Sequence, residues 1–107
     1  MGNQGDKNTG AAQKAASALV AELSSIPGIT SKNMFGGCGI FHEGTMFGII
    51  EPSGIPFLKV NDDFKSDFEV KGGHQHSRMP YYSIPDEVLA NNNLLNKWAK
   101  RSIEITK

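Results

Sequence analysis

In this 107-residue chain the side chains that could do chemistry are one cysteine, three histidines, an acidic run and a basic stripe. Cys38 and His42 suggest a thiolate and its base, but both lie in "MFGGCGIFHEGTMFGII" (34–50), which alternates with period two. Four residues along a strand span ~13 Å, whereas nucleophile and base need about 3 Å, so the pair cannot work alone. Cys38 is expected to be a small buried hydrophobe. His74 and His76 are better placed, because i and i+2 on a strand share a face and could grip one ion. A third ligand, from Cys38, His42 or an acid, would have to arrive by folding. As an H-x-H in a Gly-rich loop the pair is read as solvated, and no metal or cofactor is assigned. Asp62, Asp63, Asp67 and Glu69 match no calcium-loop spacing.

The glycines of "GGCG" invite a phosphate loop. A dinucleotide fingerprint needs a third glycine and a helix, yet Gly37-Cys38-Gly39 runs on into Ile40, Phe41 and His42 as a strand. No Gly-Lys pair exists for a Walker loop. Small residues here are expected to permit a bulge or a close helix approach.

Lys97, Lys100 and Arg101 form the only basic cluster, interleaved with Asn96 and Glu104, and read first as the wet side of an amphipathic helix. Direct DNA contact through these three is the alternative. Eleven Lys plus Arg against eleven Asp plus Glu give no net charge, which does not favour it.

Met34, Phe35, Met46, Phe47, Met79, Tyr81, Tyr82 and Trp98 are a heavy apolar load for one small domain. Tyr81 and Tyr82 point to opposite faces of their strand, so one is expected to be exposed. Exposed aromatics mark partner surfaces, and Met79, Tyr81 and Tyr82 are the expected protein contact.

The length allows one domain with one core. A single cysteine excludes an internal disulfide and a Cys cluster for zinc, which fits a reducing compartment. No apolar run approaches the ~18 residues of a membrane span. A cytoplasmic protein without a membrane partner is expected.

The elements that must position these residues follow from periodicity. Residues 1–9 carry no period and are expected as a disordered lead-in to a single domain at 10–107. Ala12, Ala16, Leu19, Val20 and Leu23 mark one helical face, closed by "SSIPG". After an extended entry at 30–35 comes a hairpin with Glu43-Gly44 at its turn, Ile40 facing Phe47 and Phe41 facing Met46. "EPSG" turns the chain into a strand at 55–60. "NDDFKSDFEVKGG" is a short helix capped by Asn61 or Asp62. "RMPYYSI" is a strand whose Pro80 belongs at a sheet edge or bulge. Ser83-Ile84-Pro85-Asp86 resembles a capping box, and the last helix puts Leu94, Leu95, Trp98, Ala99, Ser102 and Ile105 on one side. The fold expected is two-layer α+β, an antiparallel sheet of about four to five strands with helices on one face, in the order α-β-β-β-α-β-α.

"MFGGCGIFHEGTMFGII", "FLKVNDDFKSDFE" and "MPYYSIPDEVLANNNLLNKWAKRS" together resemble, in order, the N-terminal domain of the TfoX (Sxy) family, named for a regulator of natural competence. The motif positions are Met34, Phe35, Gly36, Gly37, Gly39, Phe41, Gly44, Met46 and Phe47, then Lys59 and Val60, then Met79, Pro80, Tyr81, Tyr82, Pro85 and Trp98. The resemblance implies a secretion-chaperone-like fold and a bacterial transcriptional regulator or co-regulator working with the cyclic-AMP receptor protein. It carries no catalytic residues. A stand-alone form without the family's second, C-terminal domain is expected, with a shorter segment between Glu69 and Met79 than many members carry.

The function expected is therefore a non-enzymatic interaction domain with a transcription factor or RNA polymerase component as partner, as a monomer or as a homodimer paired through the edge at Pro80. A small metal or thiol enzyme using His74, His76 and Cys38 is the remaining reading.

Overall fold

The structure, a computed structural model, describes residues 3–34 and 36–107, with side chains from residue 10 onward. The expected lead-in at 1–9 lies outside the described residues at positions 1–2, and helix α1 spans Asn3–Glu22. From Ala12 the helix follows its apolar spacing. Ala12, Ala16 and Leu19 are buried, with Leu23 just beyond its end.

Four strands follow, β1 (Ile29–Met34), β2 (Gly37–His42), β3 (Thr45–Ile50) and β4 (Pro56–Lys59). Helix α2 (Asp62–Val70) leads to β5 (Tyr81–Ser83), then α3 (Asp86–Leu89) and α4 (Asn92–Ile105). All five strands pair antiparallel in the order β1-β2-β3-β4-β5. The fold is thus α+β as expected, in the order α-β-β-β-β-α-β-α-α. The extended entry is a full edge strand, because every residue from Ile29 to Met34 finds a partner on β2.

Glu43 and Gly44 both have positive φ, 50° and 87°, the geometry of a two-residue hairpin turn whose twist matches its strands. The turn sets Phe41 opposite Met46, as expected, but Ile40 opposes Gly48 and not Phe47. Phe47 is an extra residue, and the bulge has a clear result. Without it Ile50 would oppose Gly37 and face away from the helices. With it Ile50 opposes Cys38, and Phe47 and Ile50 both reach the core at 0% and 2% exposure.

Asn61 caps α2, its Oδ1 accepting the Phe64 N–H at 2.8 Å. Phe64 and Phe68 then lie one turn apart, with ring centroids 4.8 Å from each other and 5.4 and 4.5 Å from Trp98 of α4. This aromatic cluster closes the core beside Tyr82. The expected capping box is not formed. Pro85 occupies the N-cap of α3 with no side-chain bond, and the Ser83 hydroxyl is taken by His74.

α4 buries a wider stripe than its apolar spacing predicts. Asn96 and Ile103 are buried, while Leu94 and Ile105 are half-buried. Asn96 donates through Nδ2 to the Glu22 carbonyl at 3.0 Å and accepts the Ser25 hydroxyl at 3.0 Å, so it serves one of the carbonyls left open at the end of α1.

Candidate functional site

The sheet has two different faces. Ile40, Phe47, Ile50, Leu58 and Tyr82 meet the helices. On the other face the register aligns Lys32, Gly39, Ile49, Phe57 and Ser83 in one row across all five strands. Among the described residues no helix covers that row.

Over β4 and β5 the segment 71–80 folds back as a cover. Its backbone bonds run from His76 N–H to the Tyr81 carbonyl at 2.8 Å and from Ser83 N–H to the His74 carbonyl at 2.9 Å, with Gln75 bridging Tyr82. The His74 and His76 rings pack on Phe57, with centroids at 5.8 and 4.8 Å. Each imidazole has its own partner: Nδ1 of His74 meets Ser83 Oγ at 3.1 Å, and Nδ1 of His76 meets Glu51 Oε2 at 3.2 Å.

This cover overturns the expectation that one tyrosine is exposed. Tyr81 and Tyr82 do lie on opposite faces, yet both are buried, at 4% and 8% exposure. Tyr81 is sealed on the helix-free face near Phe57 and the folded-back segment. Tyr82 faces the core, where its hydroxyl donates to Glu69 Oε2 at 3.1 Å. Burial, reinforced by the bond to Glu69 and its charge, raises the Tyr82 phenol, and burial alone raises that of Tyr81. At this edge Gln75 sits against β5 and the Pro80 carbonyl accepts the Val60 N–H at 2.9 Å.

Met79 alone of that trio stays at the surface, 40% exposed. It stands at the rim of an apolar groove of about 270 Å³, together with Met34, Met46, Ile49, Pro52 and His76. Gly39 explains the groove. A Cβ there would fall 2.6 Å from the Met34 sulfur, 2.9 Å from the Phe41 ring and 3.0 Å from the Met46 sulfur, so three side chains from three strands close over the vacant position. Gly37 serves the opposite contact, since a Cβ there would collide with the Ile50 carbonyl oxygen. Lys32 completes the outer surface with its ammonium 5.7 Å from the Phe41 ring.

Of the other motif positions, Phe35 lies outside the described residues. Gly36 and Gly44 take positive φ at turns. Phe47, Val60 and Trp98 are core, Lys59 ends β4, and Pro85 begins α3. The motif therefore encodes the hairpin, its bulge and the groove floor.

Cys38 is buried on the helix side, its Sγ 3.5 Å from Asn33 Oδ1, and burial raises its pKa, which lowers its nucleophilic fraction. His42 is not its partner. Among the described residues no three His, Cys, Asp or Glu side chains converge as for a metal.

The basic stripe divides in two. Arg101 pairs with Asp67 at 2.8 Å and lies 4.3 Å over the Phe64 ring, which ties α4 to α2. Lys97 and Lys100 form no ion pair among the described residues and edge a polar hollow with Ser25, Asn92, Asn93 and Asn96. Among the described residues no helix is long and apolar enough to cross a membrane.

The site that folding assembles is thus the groove, and sequence reasoning found its rim residue while missing its floor. Met34, Gly39, Met46 and Ile49 could have been grouped by carrying the period-two alternation across the hairpin. His76 and Glu51 could not, being joined only by the fold-back.

The sequence matches the family model described as the TfoX N-terminal domain over residues 21–105. No curated protein matches the chain.

Proposed function

Because the chain belongs to the TfoX N-terminal domain family, we propose that it is a non-enzymatic regulatory domain of the cytoplasm, a TfoX-type transcriptional co-regulator that acts by binding a protein. The observation that carries this reading is Met79, exposed at the rim of an apolar groove on the sheet face that, among the described residues, no helix covers. Contiguous apolar surface of this kind favours burial by a partner, and methionine suits such surfaces because its thioether repacks easily. The partner is a transcription factor or RNA polymerase component that presents an apolar side chain to the groove. Tyr81 and Tyr82 are buried and do not line the groove, so Met79 is the contact residue of the three.

The test is affinity capture from lysate of the source cells after nuclease treatment, comparing the wild-type chain with Met79→Asp. Retention of a transcription factor or polymerase subunit by the wild type and its loss with Met79→Asp is expected. Absence of any transcriptional protein, or retention indifferent to the substitution, overturns the reading.

Lys97 and Lys100 support a second reading, direct DNA contact, because both ammonium groups lack an ion-pair partner among the described residues. Two neutralised phosphates give a log–log salt slope of about −2 on duplex DNA. Loss of duplex binding in the Lys97→Glu, Lys100→Glu chain supports it, and a flat salt response overturns it.

A further inference from the structure

We infer that the groove on the helix-free face is a binding site for the soft monovalent cation Cu(I), held by the thioethers of Met34, Met46 and Met79 and by Nε2 of His76. This goes beyond the partner reading and does not rest on it. The chain has four methionines, and the three beyond Met1 all line this one groove. Gap-filling alone does not require them there, since leucine packs as well and loses less side-chain freedom.

The geometry gathers the donors. Met34 comes from β1 and Met46 from β3, and their sulfurs meet over Gly39 on the strand between, 2.6 and 3.0 Å from where its Cβ would stand. Met79 reaches the same groove from the folded-back segment, as does His76. Nδ1 of His76 faces Glu51 Oε2 at 3.2 Å, so the ring donates its proton to the carboxylate and leaves Nε2 with a free lone pair. A carboxylate behind the imidazole is the arrangement that orients metal-bound histidines and raises their basicity.

The donor chemistry selects the ion. Neutral thioethers with one imidazole suit Cu(I), while zinc, magnesium and calcium want thiolate, several imidazoles or oxygen. The one thiol, Cys38, also borders the groove, but it belongs to the core cluster and its Sγ lies 3.5 Å from Asn33 Oδ1, so the thioethers and the imidazole are the donors proposed. The Glu51 charge behind His76 offsets the single positive charge of the ion, and Ile49 and Pro52 keep the groove apolar.

The experiment is an anaerobic titration of the full chain with Cu(I) against a chromogenic Cu(I) chelator. A parallel titration with Ag(I), which shares the ligand preference, follows the methionine methyl signals by NMR. Both are run on Cys38→Ala, so that no thiol contributes, and on the chain retaining Cys38. One equivalent of each ion, joint shifts of the Met34, Met46 and Met79 methyls with Met1 unmoved, and no competition by Zn(II) are expected. Met34→Leu with Met46→Leu keeps the groove volume and should abolish the binding. Glu51→Gln removes no ligand and should weaken it about tenfold. If no equivalent binds, if the three methyls stay in place, or if binding persists in the double leucine chain and follows Cys38, the inference is overturned. A helical circular dichroism spectrum equal to that of the wild type qualifies each variant.

Discussion

The hydroxyl of Ser102 on α4 lies 3.0 Å from the carbonyl oxygen of Phe47, the extra residue of the β3 bulge, and 2.9 Å from that of Lys59 at the end of β4. A bulge leaves a strand residue outside the regular ladder, and its buried backbone needs a partner from elsewhere. The helix supplies one with a side chain that is fully buried. The register shift that turns Ile50 inward and Ile49 toward the groove is therefore anchored from the opposite layer.

Ser102→Ala should lower unfolding free energy by about 1–2 kcal/mol, the cost of leaving a buried carbonyl without its donor. Urea unfolding checks this. Amide exchange in β3 should quicken beyond the global change, because the bulge loses its anchor. A stability equal to wild type would show that the carbonyls find another donor.

Gly37→Ala and Gly39→Ala should differ sharply although they are two residues apart. At Gly37 the new methyl runs into the Ile50 backbone, which cannot yield without breaking the β2–β3 ladder, and a loss of about 3 kcal/mol or more is expected. At Gly39 it meets side chains rather than backbone, the flexible ends of Met34 and Met46 and the edge of the Phe41 ring, so about 1–2 kcal/mol is expected, with the groove partly filled. Thermal unfolding of the two variants decides the order.

Alkaline pH should destabilise the fold through the two buried tyrosines. Both phenols have pKa values raised above the ordinary 10.0, so the folded state holds its protons where the unfolded chain begins to release them. Their contribution is complete below pH 10 and is lost as the pH rises through the folded values. Unfolding midpoints in urea should fall as the pH rises above the ordinary 10.0, and Tyr82→Phe should make that fall shallower. An identical slope in Tyr82→Phe would remove Tyr82 as a cause.

His76→Ala should loosen the fold-back without unfolding the domain. It removes the half-buried pair with Glu51 and the ring packed on Phe57, a cost of about 1–2 kcal/mol. Hydrogen exchange should quicken at the amides of His76 and Ser83, which bond to Tyr81 and His74 across the fold-back. Unchanged exchange at both would mean that the backbone bonds alone hold the segment.

Glu43→Asn should stabilise by about 0.5 kcal/mol, because asparagine tolerates the positive φ of the first turn position better than glutamate. A rise in melting temperature checks it. A fall would show that the Glu43 stem packed against Gly28 contributes more than the relief of strain.

What the sequence by itself determined is what depends on neighbours along the chain. The 3.6-residue spacing from Ala12 to Leu23, the Asn61 cap, the Phe64–Phe68 pair and the Glu43-Gly44 turn are all local, and each is found where its residues place it. So is the Phe41–Met46 pairing, since a two-residue turn leaves no other register beside it. Tertiary structure decided the rest. The bulge at Phe47 answers to a serine 55 positions away, and the burial of Asn96 answers to the end of α1. One of Tyr81 and Tyr82 reads as exposed because alternation assigns faces without saying what covers them, and the cover over Tyr81 is a segment with no period of its own, tied down by Glu51 through His76. The groove arises in the same way. Its methionines were visible one by one, but a glycine on the strand between them is what lets their sulfurs meet, and that juxtaposition exists only across paired strands.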